Sequence, residues 1–344
     1  MSARGHGAPV GVLGTPPTRE DGPAIVTVGG GTGSFVLLSG LRRYVRNLTA
    51  IVAMSDDGGS TGILRDELGA LPPGDVRQCL VALSRSPRLR DLFTYRFDKG
   101  RLRGHSFGNL FLTALAAVTG SFEDAVCEAS TILSIEGNVI PVTTHDVRLV
   151  ATLQDGTIIT GERHLASTRL APGRFMLSLE PQAQMNPRAA AAIQDADMVV
   201  VCPGNLYASV IPHFLVQGVA DAVRTSPARK VLVVPLMNKV EHTAGFMAHD
   251  YVEEIERYAG GPVFDYVVYN TTRPPVDVLE RYQEEGEPVG CDERKMAGGH
   301  YVSVGGDLLS RSLAEVTEGD LLRRTLIRHD PDRIARRIMQ LYWR

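Results

Sequence analysis

The chain has 344 residues, enough for one large or two modest domains at about 150 residues each. Hydrophobic residues make up 44% and charged residues 22%, an ordinary globular balance that excludes wholesale disorder. Lys and Arg total 36 against 39 Asp and Glu, a formal net charge of −3, and no basic cluster interleaved with aromatics offsets it, which argues against a nucleic-acid partner.

Residues 1–22 are rich in Gly and Pro with no apolar core, so they read as a disordered tail, not a signal peptide. No apolar run reaches the ~18 residues of a membrane span. Cys79, Cys127, Cys202 and Cys291 are far apart and read as isolated thiols in a reducing, cytoplasmic setting, with no zinc spacing. No metal ligand set is expected.

Ile25 to Val28 is a β-branched run that fits a strand covered on both faces. Gly29-Gly30-Gly31-Thr32-Gly33-Ser34 follows, and then Phe35, Leu37, Leu38, Leu41 and Tyr44 recur at helical spacing. A second strand, Leu48 to Met54, ends in Ser55-Asp56-Asp57-Gly58-Gly59-Ser60, completing a β–loop–α–β unit of nucleotide-binding type. Helices are expected over 76–83, with Asp75 as N-cap, over 110–118 and over 122–133. Around 139–180 the texture turns antiparallel: runs 147–153 and 157–160 flank Asp155-Gly156, a hairpin signal. Alternation then resumes, with strands over 198–201, 230–236 and 264–269 and helices over 189–193, 214–223, 249–258 and 332–342. The fold class is therefore α/β, a Rossmann-like, mostly parallel sheet with helices on both faces and a small antiparallel insertion. Residues 23–344 read as one nucleotide-binding domain. Since ligands of open parallel sheets sit outside the carboxyl ends of the strands, the exits at Val28, Met54, Val201 and Tyr269 should line one crevice.

The glycine loop carries the most information. Glycines between a strand and a helix let backbone approach a phosphate, and the helix start presents free N–H groups and its positive dipole end. Gly30, Gly31, Thr32, Gly33 and Ser34 are the expected cradle. Ser34 stands where GxGxxG requires a last glycine, which counts against a nicotinamide dehydrogenase, and no GK[ST] follows for a P-loop. Asp56 and Asp57, at a strand end beside that loop, suit a ribose or base contact, or Mg²⁺ if one is used. His105 and Asn109, in a loop entering a helix, are further candidates, although a lone His there more often packs than reacts. Arg65 and Arg77 could clamp phosphate or be surface charges. Gly204, Asn205 and Tyr207, at a second strand–glycine–helix junction, form another candidate anion site.

Taken together, IVTVGGGTGS from Ile25, SDDGGSTG from Ser55, LRDELG from Leu64, LPPGD from Leu71, HSFGNL from His105 and GNLYAS from Gly204 resemble the gluconeogenesis factor family, similar in fold to 2-phospho-L-lactate transferase. The resemblance implies a non-catalytic regulator that binds a nucleotide sugar such as UDP-N-acetylglucosamine, needs no cofactor, and links carbon supply to cell-wall precursor synthesis and cell shape. A cytosolic enzyme of that synthesis is its implied partner, homo-oligomers are allowed, and neither nucleic acid nor membrane is expected. It also implies that Asn270 and Tyr282 border the ligand and that Arg328 neutralises a pyrophosphate. The loop Met237–Phe246 departs from the family pattern, Asn205 stands in place of its usual serine, and extra residues lie between Gly305 and Leu326. The alternative within the resemblance is a Mg²⁺-dependent phosphotransferase.

Overall fold

The computed structural model describes residues 22–170, 173, 175–281, 286–311 and 327–343. The predicted tail, Tyr282 and most of the extra segment after Gly305 lie outside the described residues.

Ten strands form in chain order: β1 (Ile25–Val28), β2 (Leu48–Val52), β3 (Asn138–Pro141), β4 (Arg148–Leu153), β5 (Ile158–Thr160), β6 (Phe175–Glu180), β7 (Met198–Val201), β8 (Arg229–Val233), β9 (Tyr266–Asn270) and β10 (Val302–Gly306). Seven of them make an all-parallel sheet ordered β10-β9-β8-β7-β1-β2-β3, and β5-β4-β6 make a separate antiparallel sheet. Every residue of β1, β2 and β7 is buried, as expected when helices cover both faces of a parallel sheet. Ile25, Val26, Leu48, Ile51 and Val199 to Val201 anchor that core.

The helices are α1 (Gly31–Leu41), α2 (Gly59–Leu68), α3 (Gly74–Leu83), α4 (Pro87–Thr94), α5 (Phe107–Thr119), α6 (Phe122–Ile132), α7 (Glu162–Ser167), α8 (Pro187–Gln194), α9 (Ile211–Leu215), α10 (Val219–Thr225), α11 (Ala248–Ala259), α12 (Val276–Glu280), α13 (Glu293–Gly298) and α14 (Pro331–Tyr342). The last packs Ile334, Ala335, Ile338, Met339 and Leu341 inward at helical spacing. It approaches α1 closely because Gly40 has no side chain: a Cβ there would lie 1.9 Å from the Pro331 carbonyl oxygen.

Three boundaries differ from the sequence reading. The antiparallel unit spans β4 to β6 and carries α7, whereas Asn138–Pro141 is an edge strand of the main sheet, paired in parallel with β2. The helix expected over 214–223 is broken between α9 and α10, where Gly218 adopts φ +98°. Pro73, not Asp75, occupies the N-cap position of α3. Among the described residues, no helix is long and apolar enough to cross a membrane.

The sheet order places the site. β1 leads on one side to β2 and β3, and the chain then returns to the other side of β1 as β7. The connections reverse between β1 and β7, and a crevice opens at the carboxyl ends of strands at such a switch point.

Candidate functional site at the β1–β7 switch point

A cleft of about 910 Å³ lies there, at the upper end of the ~300–1,000 Å³ usual for ligand sites. Gly30, Gly31, Thr32 and Gly33 from the β1 exit line it, facing Pro203, Gly204 and Asn205 from the β7 exit. The two loops touch: a Cβ on Gly33 would sit 1.5 Å from the Pro203 carbonyl oxygen, so glycine is required by backbone meeting backbone. Gly31 adopts φ +67°, a left-handed conformation in which a side chain is strained.

Helix starts crowd this cleft. Gly30 caps α1 and Gly58 caps α2, neither with a side-chain hydrogen bond. Leu206–Val210 forms a π-helical turn whose N-cap, Asn205, makes no side-chain capping bond. The first-turn amides of a helix lack an intrahelical acceptor and carry the positive end of its dipole, so three such starts around one space favour an anion.

The charged lining is mixed. Arg77, Arg96, Arg163, Lys239 and Arg328 face Asp56, Asp75, Glu162 and Glu241, five cations against four carboxylates. Asp56 organises its own loop: its Oδ1 accepts the Gly58 N–H at 2.9 Å, and burial raises its carboxyl above the ordinary value. Asp75 presses on the glycine loop after β1, where a Cβ on Gly30 would lie 2.0 Å from its Oδ2. Glu162 is half-buried, and desolvation together with the charges of Asp56, Asp75 and Asp57 pushes its carboxyl well above 4.5. His329 is buried, and desolvation lowers its imidazole to about 4.

Behind the lining, a chain of hydrogen bonds fixes three helices. Arg77 Nε donates to Asn109 Oδ1 at 2.8 Å, and Asn109 Nδ2 donates to Ser60 Oγ at 3.3 Å. Ser60 Oγ lies 3.0 Å from His105 Nδ1, within hydrogen-bond distance. Arg77, Asn109 and Ser60 line the cleft, whereas His105 supports Ser60 from behind. The imidazole thus packs a helix start.

Several residues singled out from the sequence point elsewhere. Ser34 is buried, and its Oγ donates to the Gly30 carbonyl at 3.3 Å. Asp57 caps the start of α7, its Oδ1 accepting the Arg163 N–H at 2.7 Å. Arg65 is buried and binds Asp146 and the Val147 carbonyl, stapling α2 to the antiparallel unit. Tyr207 turns into the core because the π-helical turn aims it at Phe175 and His242, with ring centroids 4.9 and 5.9 Å away. Asn270 is occupied with its own loop, accepting the Leu308 N–H at 3.1 Å and donating to the Thr272 carbonyl at 2.6 Å. The β9 exit is therefore not a wall of the cleft. The β8 exit, Pro235 to Asn238, takes its place.

The sequence reading missed Asp75 as a cleft group, and also Glu162, Arg163 and Lys239. The last three arrive by tertiary docking: α7 swings over the cleft and meets the Met237–Phe246 loop, where His242 Nε2 lies 2.8 Å from the Leu165 carbonyl and the Leu170 N–H donates to the Glu241 carbonyl at 2.8 Å.

Residues 25–308 match the family model described as 2-phospho-L-lactate transferase CofD. A gluconeogenesis factor from Halalkalibacterium halodurans is 37% identical over 307 residues, covering 86% of this chain and 95% of its own. The chain belongs to the gluconeogenesis factor family. A second member, from Listeria innocua, is 35% identical over 320 residues, covering 92% of this chain and 95% of its own. The crystal structure of protein BH3568 from Bacillus halodurans, 35% identical, superposes with a TM-score of 0.84 over 92% of this chain and 99% of that one. The α/β architecture is thus shared with that solved relative.

Proposed function

We propose that this gluconeogenesis factor binds a nucleotide sugar of the UDP-N-acetylglucosamine type in the switch-point cleft and acts as a regulator of carbon flow toward cell-wall precursors. The observation that carries the reading is the convergence of three uncapped helix starts on a cleft that also holds Arg77 and Arg328. Gly30 to Gly33 would take one phosphate and the 204–206 turn the other, with Arg328 offering a bidentate guanidinium. The cleft volume suits a ligand larger than a mononucleotide. Calorimetry with UDP-N-acetylglucosamine, UDP and UMP tests this: the sugar nucleotide binds with micromolar affinity, is recovered unchanged, and UMP binds weakest. No heat from any of the three would end the reading.

One observation favours a second reading, a phosphotransferase. Asp56, Asp75 and Glu162 face the same cleft, and Mg²⁺ is usually held by one or two carboxylates together with substrate phosphates. Among the described residues, no three side chains form a ligand set by themselves, so phosphate oxygens would have to complete one. Metal-dependent release of a nucleoside monophosphate from a nucleotide-linked substrate would put this reading first.

A further inference from the structure

Helix α5 is apolar on two sides. Its inward side, Gly108, Asn109 and Leu112, is buried. On the outward side Phe107, Phe111, Ala114 and Val118 follow one another at spacings of four, three and four residues, the alternation by which one helix packs on another. Phe107 and Phe111 are partly buried, packed against the core and against the buried Phe93 of α4, with ring centroids 5.9 and 5.0 Å away. Ala114 is exposed and Val118 is 83% exposed. Leu92 and Tyr95, at the end of α4, are also exposed. A surface helix ordinarily turns charged residues outward, yet no charged residue other than His105 occurs between Arg103 and Glu123.

Charge returns at the two ends of α5, with opposite sign. Lys99, Arg101 and Arg103, against the single acid Asp98, are exposed beside its start. Asp124 and Glu128 are exposed just past its end, and no Lys or Arg occurs from Gly104 to Val147.

We propose that the outward face of α5 is a homodimer interface, with the α5 helices of two copies antiparallel about a two-fold axis. An isologous interface must complement itself. Antiparallel pairing sets the basic start of each helix against the acidic end of the other and opposes their dipoles. The exposed Ala114 and Val118, flanked by the part-exposed edges of Phe107 and Phe111, then interlock without burying a charge. The inward side of the same helix carries Asn109 into the cleft, so the interface lies behind the ligand site.

Sedimentation of the full chain tests this. The wild type sediments at the mass of two chains at micromolar concentration. Ala114→Glu and Val118→Glu, at exposed positions, give single chains with an unchanged circular dichroism spectrum, because pairing would bury an uncompensated carboxylate; the dimer constant weakens by about 100-fold or more. Asp124→Arg also weakens the dimer, and combining it with Lys99→Glu and Arg101→Glu restores it. A wild type that stays single at high concentration overturns the proposal, as does a Val118→Glu protein that remains dimeric. A single-chain wild type that dimerises only after removal of residues 1–21 also overturns it, by assigning the face to that segment.

Discussion

Some helix starts of this chain carry a side-chain cap and others do not. Away from the cleft, Ser86, Ser121, Asn186, Asp292 and Asp330 cap α4, α6, α8, α13 and α14, each side-chain oxygen accepting a first-turn N–H. At the cleft, α1, α2 and the π-helical turn begin on Gly30, Gly58 and Asn205 with no such bond. A side-chain cap stabilises a helix by about 1 kcal/mol, and the cleft-facing helices forgo it. What they keep is a position on the wall of a space that a ligand can fill. Uncapped starts also occur away from the cleft, at Gly218 and Pro275, and a capped one, Ser106 of α5, stands beside it; the contrast between the cleft glycines and the capped starts can still be probed from both sides.

The largest effect falls at Gly33. Gly33→Ala drives a methyl into the Pro203 backbone, so the two loops must part. Denaturant unfolding should show a loss of about 3 kcal/mol or more, in the range of the severe single-residue mechanisms. Next is Arg328→Ala, which weakens sugar-nucleotide binding by about 10- to 100-fold in calorimetry, the usual worth of a charge-assisted contact. At the capped starts the pattern inverts: Ser121→Ala costs about 1 kcal/mol of stability and leaves binding as it was. A binding defect in Ser121→Ala, or none in Arg328→Ala, would break the division between the two groups.

The smallest effect is a pH dependence. Glu162 has its folded pKa raised above the unfolded value, so its protonated form is the one the fold favours. Its contribution is present below the unfolded value near 4.5 and is lost as pH rises through the folded one. Glu162→Gln removes the loss, and its melting-temperature advantage over the wild type should grow from acid to neutral pH. An advantage that shrank over that range would mean that neither burial nor the charges of Asp56 and Asp75 raise the Glu162 carboxyl.

What could be read from the sequence is what depends on neighbours along the chain. The buried run Ile25–Val28, its glycines and the helix behind them are local, as is the Asp155-Gly156 hairpin, and all of these formed as expected. β10 was missed because Val302–Gly306 is short, glycine-bearing and at the sheet edge. In the site, Gly30 to Gly33, Asp56, Asn109, Gly204, Asn205 and Arg328 do line the cleft. Tyr207 failed because a π-helical turn shifts the direction of each side chain relative to an α-helix, and Asn205-Leu206-Tyr207 gives no warning of it. Asp57 does not line the cleft because its Oδ1 accepts from Arg163 of α7, 106 residues further along the chain. The same docking brings Glu162 and Arg163 to the cleft, and no spacing within the hairpin encodes where it will land.

The account rests on amides at the cleft-facing helix starts. Amide NMR of the full chain labelled with ¹⁵N-glycine, titrated with UDP-N-acetylglucosamine, reads them directly. The account predicts that the resonances of Gly30, Gly31, Gly33, Gly58, Gly59 and Gly204 move together at one affinity, while those of Gly120 and Gly156, far from the cleft, stay still. Saturable binding that leaves Gly30 to Gly33 unmoved would contradict it.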